Sequence, residues 1–451
     1  MIHAMVVCAA WFWSMSPLGP ADVSWPNWRG PNRDGSSLVD NLPLNWSNDA
    51  NIRWRVELPA WAGSSPVLWR DRVFLTSPSA RGDDEPEGEI GRNFRRRAVS
   101  IEGPGGARIL LMCIAASNGK LLWQQELDRR NKLFGKHNMA SPSPVTDGSR
   151  VWALTGTGVL SCFEMAGRPV WSFDLQEKYG EFGLYWGYAS SPLLFEDRIF
   201  VQVLHGATTK NPSYVVAFDK GSGKVLWRQD RKTGARQECT DAYTTPTIVR
   251  ADGRNELIVS GADFITAHDP ATGNELWRCG GLNPEGAGNY RICGSPVAAG
   301  GLVIATSREK PVLAVKPGGQ SDVTDSRVAW RYTGRKGPDV PSAALSGERL
   351  YMLHDDGFIT CLEARSGSVL WGPERIEGGP YSASPLVAAG RVYCTNENGV
   401  TTVLADGPQF KSLAINRLDG GYTLSSLAVG DRCLLLRTAK YLYCIGEPRS
   451  R

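Results

Sequence analysis

Ser222-Gly223-Lys224-Val225-Leu226-Trp227 is one of six passages in which a short turn runs into a tryptophan. The others are Asn118-Gly119-Lys120 before Trp123, Ala166-Gly167-Arg168 before Trp171, Thr272-Gly273-Asn274 before Trp277, Ser326 before Trp330 and Ser366-Gly367-Ser368 before Trp371. Successive tryptophans stand roughly forty to fifty-five residues apart, the period of a β-propeller blade rather than of a helical pair. The glycine four residues before the tryptophan supplies the positive φ that a tight turn needs. Trp330 lacks it, and its repeat carries Pro317-Gly318-Gly319 instead.

Outward from the turn the rest of a unit repeats. A small-small-Pro step opens it at Ser64-Ser65-Pro66 and returns at Ser143-Pro144, Ser191-Pro192, Thr245-Pro246, Ser295-Pro296 and Ser384-Pro385. Proline is tolerated there because the first residue of a strand need not donate to the ladder. Asp71-Arg72, Asp197-Arg198 and Gly390-Arg391 suit the hairpin turn that follows. A third strand, such as 158–163 or 357–362, then joins the tryptophan strand to make four antiparallel strands per blade.

Adding Ser342-Ala343-Ala344-Leu345 and Leu424-Ser425-Ser426-Leu427-Ala428 brings the count to about eight blades. The last has three strands before Gly446, and Ile52-Arg53-Trp54-Arg55-Val56-Glu57-Leu58 has the tryptophan-strand pattern it lacks. Both termini in one blade would close the ring and remove its exposed edges. The expectation is an all-β, eight-bladed propeller of four-stranded antiparallel blades over 51–446, closed by an N-terminal strand, with a lead-in at 22–50 and a tail at 447–451. The seventh blade departs from the pattern: Phe410-Lys411-Ser412-Leu413-Ala414 has no tryptophan.

Gly 50, Pro 28 and Trp 16 in 451 residues, with 21% charged, describe a turn-rich and aromatic-rich globular chain. No apolar run is long enough to span a bilayer. The apolar stretch 4–13, followed by Gly19-Pro20-Ala21, reads as an export signal over 1–21, although its first residues offer His3 and no Lys or Arg. The expected location is therefore the periplasm, the outer membrane surface or the exterior. With export and a net charge of only +4, nucleic acid is a poor partner.

Cys113 and Cys361 stand ten residues before Trp123 and Trp371, where other repeats place Ala217 and Ala267, and Cys162 and Cys444 fall in matching strands. A position that takes Ala or Cys is a small buried slot. Cys239, Cys279 and Cys293 are read as loop residues, and a Cys279 to Cys293 bridge stays open.

The motif of small-small-Pro step, hairpin, glycine turn and tryptophan strand resembles the PQQ-like (quinoprotein-type) β-propeller repeat family, over about Ile52 to Gly446. Trp25-Pro26-Asn27-Trp28-Arg29-Gly30-Pro31-Asn32-Arg33-Asp34-Gly35 resembles the lead-in of its exported bacterial members. The resemblance implies that each tryptophan docks its blade on a neighbour. It implies two different activities, because the family includes BamB-like outer-membrane assembly factors and PQQ-dependent dehydrogenases. The latter pair PQQ with calcium, a vicinal disulfide and a catalytic Asp. This chain has no adjacent cysteines and no segment that aligns with the Glu, Asn and Asp calcium ligands.

Strand order places the loops leading into each blade, and those between its second and third strands, on one face. The ligand or partner candidates there are Trp61, His137, Trp186, Tyr188, Asp241, Tyr243, Tyr290, Arg291 and Tyr381. Aromatics and charges at a channel mouth can stack on and hydrogen-bond a ligand or peptide; the structural alternative is tyrosines packed between blades. His354-Asp355-Asp356-Gly357 is read as a polar hairpin turn rather than a metal loop. In blade 1 the insertion Ser77 to Gly106 carries Asp83-Asp84-Glu85 and Arg95-Arg96-Arg97, near Arg129, Arg130, Lys132 and Lys136. Those charges either draw an anionic partner or belong to a solvated loop.

H-E-x-x-H, P-loop, G-x-S-x-G and C-x-x-C are all absent. No catalytic residue, metal ligand or cofactor is assigned. The chain is read as an exported binding or scaffolding module for an unknown protein or small molecule of the cell envelope. One alternative is a PQQ-dependent oxidoreductase, with calcium, that uses Trp61, Trp186 and Arg291; another is a BamB-like assembly factor.

Overall fold

A computed structural model describes residues 23–82, 103–309, 311–335 and 337–448. Residues 1–21, read above as an export signal, and the charged middle of the blade 1 insertion, 83–102, lie outside those residues. Eight blades of four antiparallel strands follow one another around a ring, in chain order except at the closure; Ser24–Trp25 adds a fifth strand to blade 1, and Ser321–Asp322 pairs parallel with the last strand of blade 4. Blade 1 runs through Val67–Trp69, Arg72–Pro78, Ile109–Ala115 and Leu121–Asp128. Blade 8 takes Ala428–Gly430, Cys433–Arg437 and Tyr441–Ile445 from one end of the chain and Ile52–Glu57 from the other, with Trp54 opposite Cys444. The α-helix of the described residues is one short turn, Leu175–Tyr179, capped by the Asp174 carboxylate.

Register explains the alternation of cysteine and alanine. Trp123 faces Cys113, Trp171 faces Cys162, Trp227 faces Ala217, Trp277 faces Ala267, Trp330 faces Ala314 and Trp371 faces Cys361 across the strand pair. An indole needs a small partner opposite it, and a thiol or a methyl both fit. Blade 7 reverses the sizes, with Val403 opposite Ala414, and Phe410 packs its ring 5.5 Å from Trp371 of blade 6.

Each indole also leans on the next blade. A Cβ added at Gly167, Gly223, Gly273 or Gly367 would stand 2.5–2.7 Å from Trp123, Trp171, Trp227 or Trp330, in that order. The glycine turn is therefore fixed twice, by its positive φ and by the tryptophan face lying on it. The indole N–H donates to a backbone carbonyl of that turn: Trp123 to Met165 at 3.0 Å, Trp171 to Lys220 at 3.1 Å, Trp227 to Pro270 at 3.1 Å and Trp330 to Ala364 at 3.0 Å. Trp277 meets the aberrant Pro317-Gly318-Gly319 turn and donates instead to Glu256 Oε2 at 2.8 Å, which also accepts the Gly318 N–H at 3.0 Å.

A second device closes the ring around its axis. The backbone N–H of Ser65 donates to the Ser143 hydroxyl, Ser143 to Ser191, Ser191 to Thr245 and Thr245 to Ser295, at 2.8–3.1 Å. Ser295 continues to Ser342, Ser342 to Ser384, Ser384 to Ser426, and Ser426 back to Ser65, at 2.8–3.0 Å. The residue before the strand-opening proline is thus a hydroxyl because it stitches one blade to the next. Such bonds contribute about 1 kcal/mol each, and a closed ring leaves no end to fray from.

Candidate functional site

The lead-in crosses the axis of the ring. Ser24–Trp25 pairs with the innermost strand of blade 1, and the chain then touches blades on opposite sides. The Thr146 N–H donates to Pro26 O at 3.0 Å, Arg33 Nη2 to Leu194 O at 2.9 Å, the Leu345 N–H to Asp34 O at 3.2 Å and the Val387 N–H to Gly35 O at 2.8 Å. Arg29 is buried and donates to Pro385 O at 3.2 Å, to Asp34 O at 3.0 Å and to Ala343 O. Burial with no carboxylate in contact pushes its pKa down to about 10, Asp34 opposing the shift.

This strap divides the channel. A chamber of about 220 Å³ lies among Pro26, Arg33, Leu194 and Thr247. On the loop-rich face opens a funnel of about 960 Å³, and Trp28 lines both spaces. The stitching hydroxyls Ser65, Ser143, Ser191, Thr245, Ser295, Ser384 and Ser426 surround the funnel, and charged and aromatic side chains from the leading loops form its mouth.

At the mouth Arg291 forms 2.8 Å ion pairs with Glu238 and Asp339, and its guanidinium stands 5.5 Å over the Trp186 ring. Trp186 Nε1 donates to Glu238 at 2.8 Å, its backbone N–H to Tyr243 Oη at 3.1 Å, and its carbonyl lies 2.5 Å from His137 Nε2. Burial holds the His137 pKa below the usual histidine range, so this imidazole works as a neutral hydrogen-bonding group near pH 7. Across the funnel Lys136, between Leu133–Phe134 and His137–Asn138, reaches Glu397 at 2.8 Å and the Ser382 hydroxyl at 2.5 Å. Lys136 is thus occupied within the ring, as are Arg129 on Glu126 and Arg130 on Asp128 and Asp174.

Of the nine candidates from sequence, His137, Trp186, Tyr243 and Arg291 come together on the funnel wall. The other five stand off it. Trp61 is buried, donating to Gly103 O at 2.7 Å; Tyr188 is buried, donating to Gln202 O at 2.8 Å; Tyr381 is buried, donating to Glu377 O at 2.7 Å. Tyr290 is half-buried, its backbone N–H on Cys239 Sγ at 3.0 Å. Asp241 is buried and accepts the N–H of Tyr185 at 2.7 Å and of Ala207 at 3.1 Å.

The cysteines need one correction. Cys279 and Cys293 are both free thiols: Cys279 ends the outer strand Glu275–Cys279 of blade 4, whereas Cys293 lines the funnel. In 354–357, Asp355 accepts the N–H groups of Asp339 and Val340, both at 2.9 Å, and so fixes the loop that carries an Arg291 partner. Strand order alone puts Asp339 and Glu397 on this face, though not among the nine candidates; Trp28 lies within the quoted lead-in, and Glu238 had no signal in the sequence.

Burial raises the Asp241 pKa to about 6, from an ordinary carboxylate value of 3.8. The folded state therefore holds its proton to higher pH than the unfolded chain does, so this group's contribution to stability is full below about pH 4 and is lost as pH rises through about 6. Asp241→Asn is expected to remove that component. The check is the melting temperature at pH 4.5 and pH 7 for both proteins; an unchanged difference between the two pH values would contradict it.

A family model described as outer membrane protein assembly factor BamB matches residues 108–322 and 319–420. Over 160 residues, 34% of this chain, the sequence is 29% identical to quinohemoprotein alcohol dehydrogenase ADH IIB of Pseudomonas putida. The matched stretch spans about a fifth (21%) of that relative's length. Among solved structures, BamB from Moraxella catarrhalis aligns with TM-score 0.54 and 15% identity over 76% of this chain and 95% of its own. A europium-containing methanol dehydrogenase gives TM-score 0.65 and 11% identity over 94% and 91%. Quinohemoprotein alcohol dehydrogenase from Comamonas testosteroni gives 0.62 and 11% over 95% and 81%. At such identities the structural likeness is one of fold, and sites must be argued separately.

Proposed function

The chain belongs to the PQQ-like β-propeller repeat family, and from that premise we propose that it is an exported binding module of the cell envelope whose ligand enters the axial funnel on the loop-rich face. One observation carries this: the strap at Trp28 and Arg29 makes the funnel a blind pocket, and ion pairs already hold its charged wall in place. A concave, preformed pocket with fixed polar groups is the usual shape of a ligand site.

A calcium-bound quinone does not fit the donors present. Calcium takes six to eight oxygens, yet among the described residues no three Asp, Glu, His or Cys side chains converge on a metal position. Glu238, Asp339 and Glu397 are taken by Arg291 and Lys136. PQQ with Ca²⁺ is therefore expected to produce no dye-linked alcohol oxidation.

Asn289 and Asn398 line the funnel as exposed side chains. The Asn289→Trp/Asn398→Trp double variant should therefore obstruct the mouth while keeping the fold. The native and double-variant proteins are to be incubated with envelope extract, and what they retain identified by mass spectrometry. Species lost on obstruction, yet kept by the rim variant Leu226→Ser, are expected; retention indifferent to obstruction would move the site off the axis.

A further inference from the structure

We infer, resting on the binding function above, that the funnel is built for a sugar acid: a pyranose ring lying on Trp28 whose carboxylate is taken by Arg308. The free hydrogen-bonding capacity of the wall decides the chemistry. Each stitching hydroxyl spends its oxygen on a backbone N–H, and among the described residues none donates its own proton to a protein acceptor. Seven of these eight residues line the funnel. A hydroxyl carries one donor besides its acceptor lone pairs, so the waist is a belt of unspent donors spread around the axis.

The cations differ in the same sense. Arg291 and Lys136 are held at 2.8 Å by carboxylates, whereas Arg308 has only loose neighbours, Asp339 at 3.9 Å and Glu309 at 4.0 Å, and makes no hydrogen bond among the described residues. Its planar fork matches a carboxylate in two-point contact. Glu238, Asp339 and Glu397 are meanwhile occupied by those cations, Trp186 and Ser382. The belt of hydroxyl donors and the one loosely held guanidinium are the funnel's largest unspent capacity, and they favour a ligand that carries acceptors and a negative charge.

Shape narrows the class. A belt of donors on all sides asks for acceptors all round the ligand's edge, which a pyranose has and an aromatic acid, with its oxygens at one or two ends, does not. Trp28 is half-buried, with Arg29 packed 5.4 Å from its ring, and offers an aromatic floor to the C–H face of a sugar. About 960 Å³ is room for a mono- to trisaccharide and too little for a folded partner.

The test is calorimetric titration of the full mature protein with galacturonate, glucuronate, trigalacturonate, neutral galactose and 4-hydroxybenzoate. At least one uronate is expected to bind about tenfold tighter than galactose, the preference disappearing in Arg308→Gln. Trp28→Ala is expected to weaken uronate binding about tenfold and Trp28→Phe to restore most of it, since a stacking floor needs only an aromatic face. Tighter trimer than monomer points to the end of an acidic polysaccharide, and equal affinity to the free sugar acid; either supports the inference. No uronate binding, preference for 4-hydroxybenzoate, or unchanged affinity in Arg308→Gln overturns it. If envelope species are still lost on obstruction of the mouth while uronates are ignored, the ligand class fails and the binding function stands; if obstruction has no effect, the binding function itself fails.

Discussion

Gly223→Ala is expected to destabilise the ring by about 3–5 kcal/mol, whereas Gly390→Ala, the same chemical change at another positive-φ turn, costs about 1 kcal/mol. Both glycines have left-handed backbone, at φ +72 and +68. They differ in what a Cβ would meet. At Gly390 nothing stands within 4 Å, while at Gly223 the Trp171 ring is 2.5 Å away. The ring cannot retreat freely, because its Nε1 donates to Lys220 O at 3.1 Å in the same turn and its face packs against Phe218. Displacing it adds about 1–3 kcal/mol of overpacking and about 1 kcal/mol of lost hydrogen bond to the backbone strain both positions share. Midpoints of urea unfolding measure the contrast. Equal losses at the two sites would mean that the turn's conformation alone explains the glycine, and that the indole contact between blades contributes little.

That pair also marks where sequence reading succeeds. A Gly-x-x-x-Trp turn is visible because its two demands, positive φ and a large ring, fall four residues apart and recur at a fixed period. The ring of stitching hydroxyls was in view at the same positions but hidden behind proline, whose placement at a strand start is already sufficient to explain the step. Ser342 and Ser426, which keep the hydroxyl and lose the proline, held the clue. For the site the limit is different. Tyr188 and Tyr381 precede their blades at nearly the offset of Tyr243, yet they are buried and it lines the funnel. Offset fixes the loop and not the direction of its side chain, which is set by neighbours from other blades, as when Tyr243 Oη accepts the Trp186 N–H. The lead-in was least legible. It has no period, and the carbonyls that hold Arg29, Ala343 and Pro385, lie more than three hundred residues away in sequence.

For that reason Arg29→Met is the second decisive change. It keeps the length of the side chain and removes the donors to Pro385, Asp34 and Ala343, three carbonyls in the buried interior of the strap. Leaving them unpaired costs about 1 kcal/mol or more each, so about 3 kcal/mol in all. The loss of a buried charge that no carboxylate contacts works the other way, but methionine offers those carbonyls nothing. The molecule can avoid the penalty without unfolding the ring: the strap peels away and water solvates the carbonyls. Local opening is therefore expected to lie well below global unfolding in free energy. Hydrogen exchange separates the two. The N–H groups of Leu345 and Val387, which donate to Asp34 O and Gly35 O, should lose about 100-fold in protection. The stitching amides of Ser65 and Ser191, bonded only within the ring, should keep theirs. Equal loss at both sets would make the strap an integral part of the ring's cooperative unit, and no loss at either would show that Ser24–Trp25 pairing and the Arg33 contact hold it without Arg29. Only in the first pattern does Trp28 leave the axis with the strap, so that the blind funnel becomes an open channel while the eight blades remain closed.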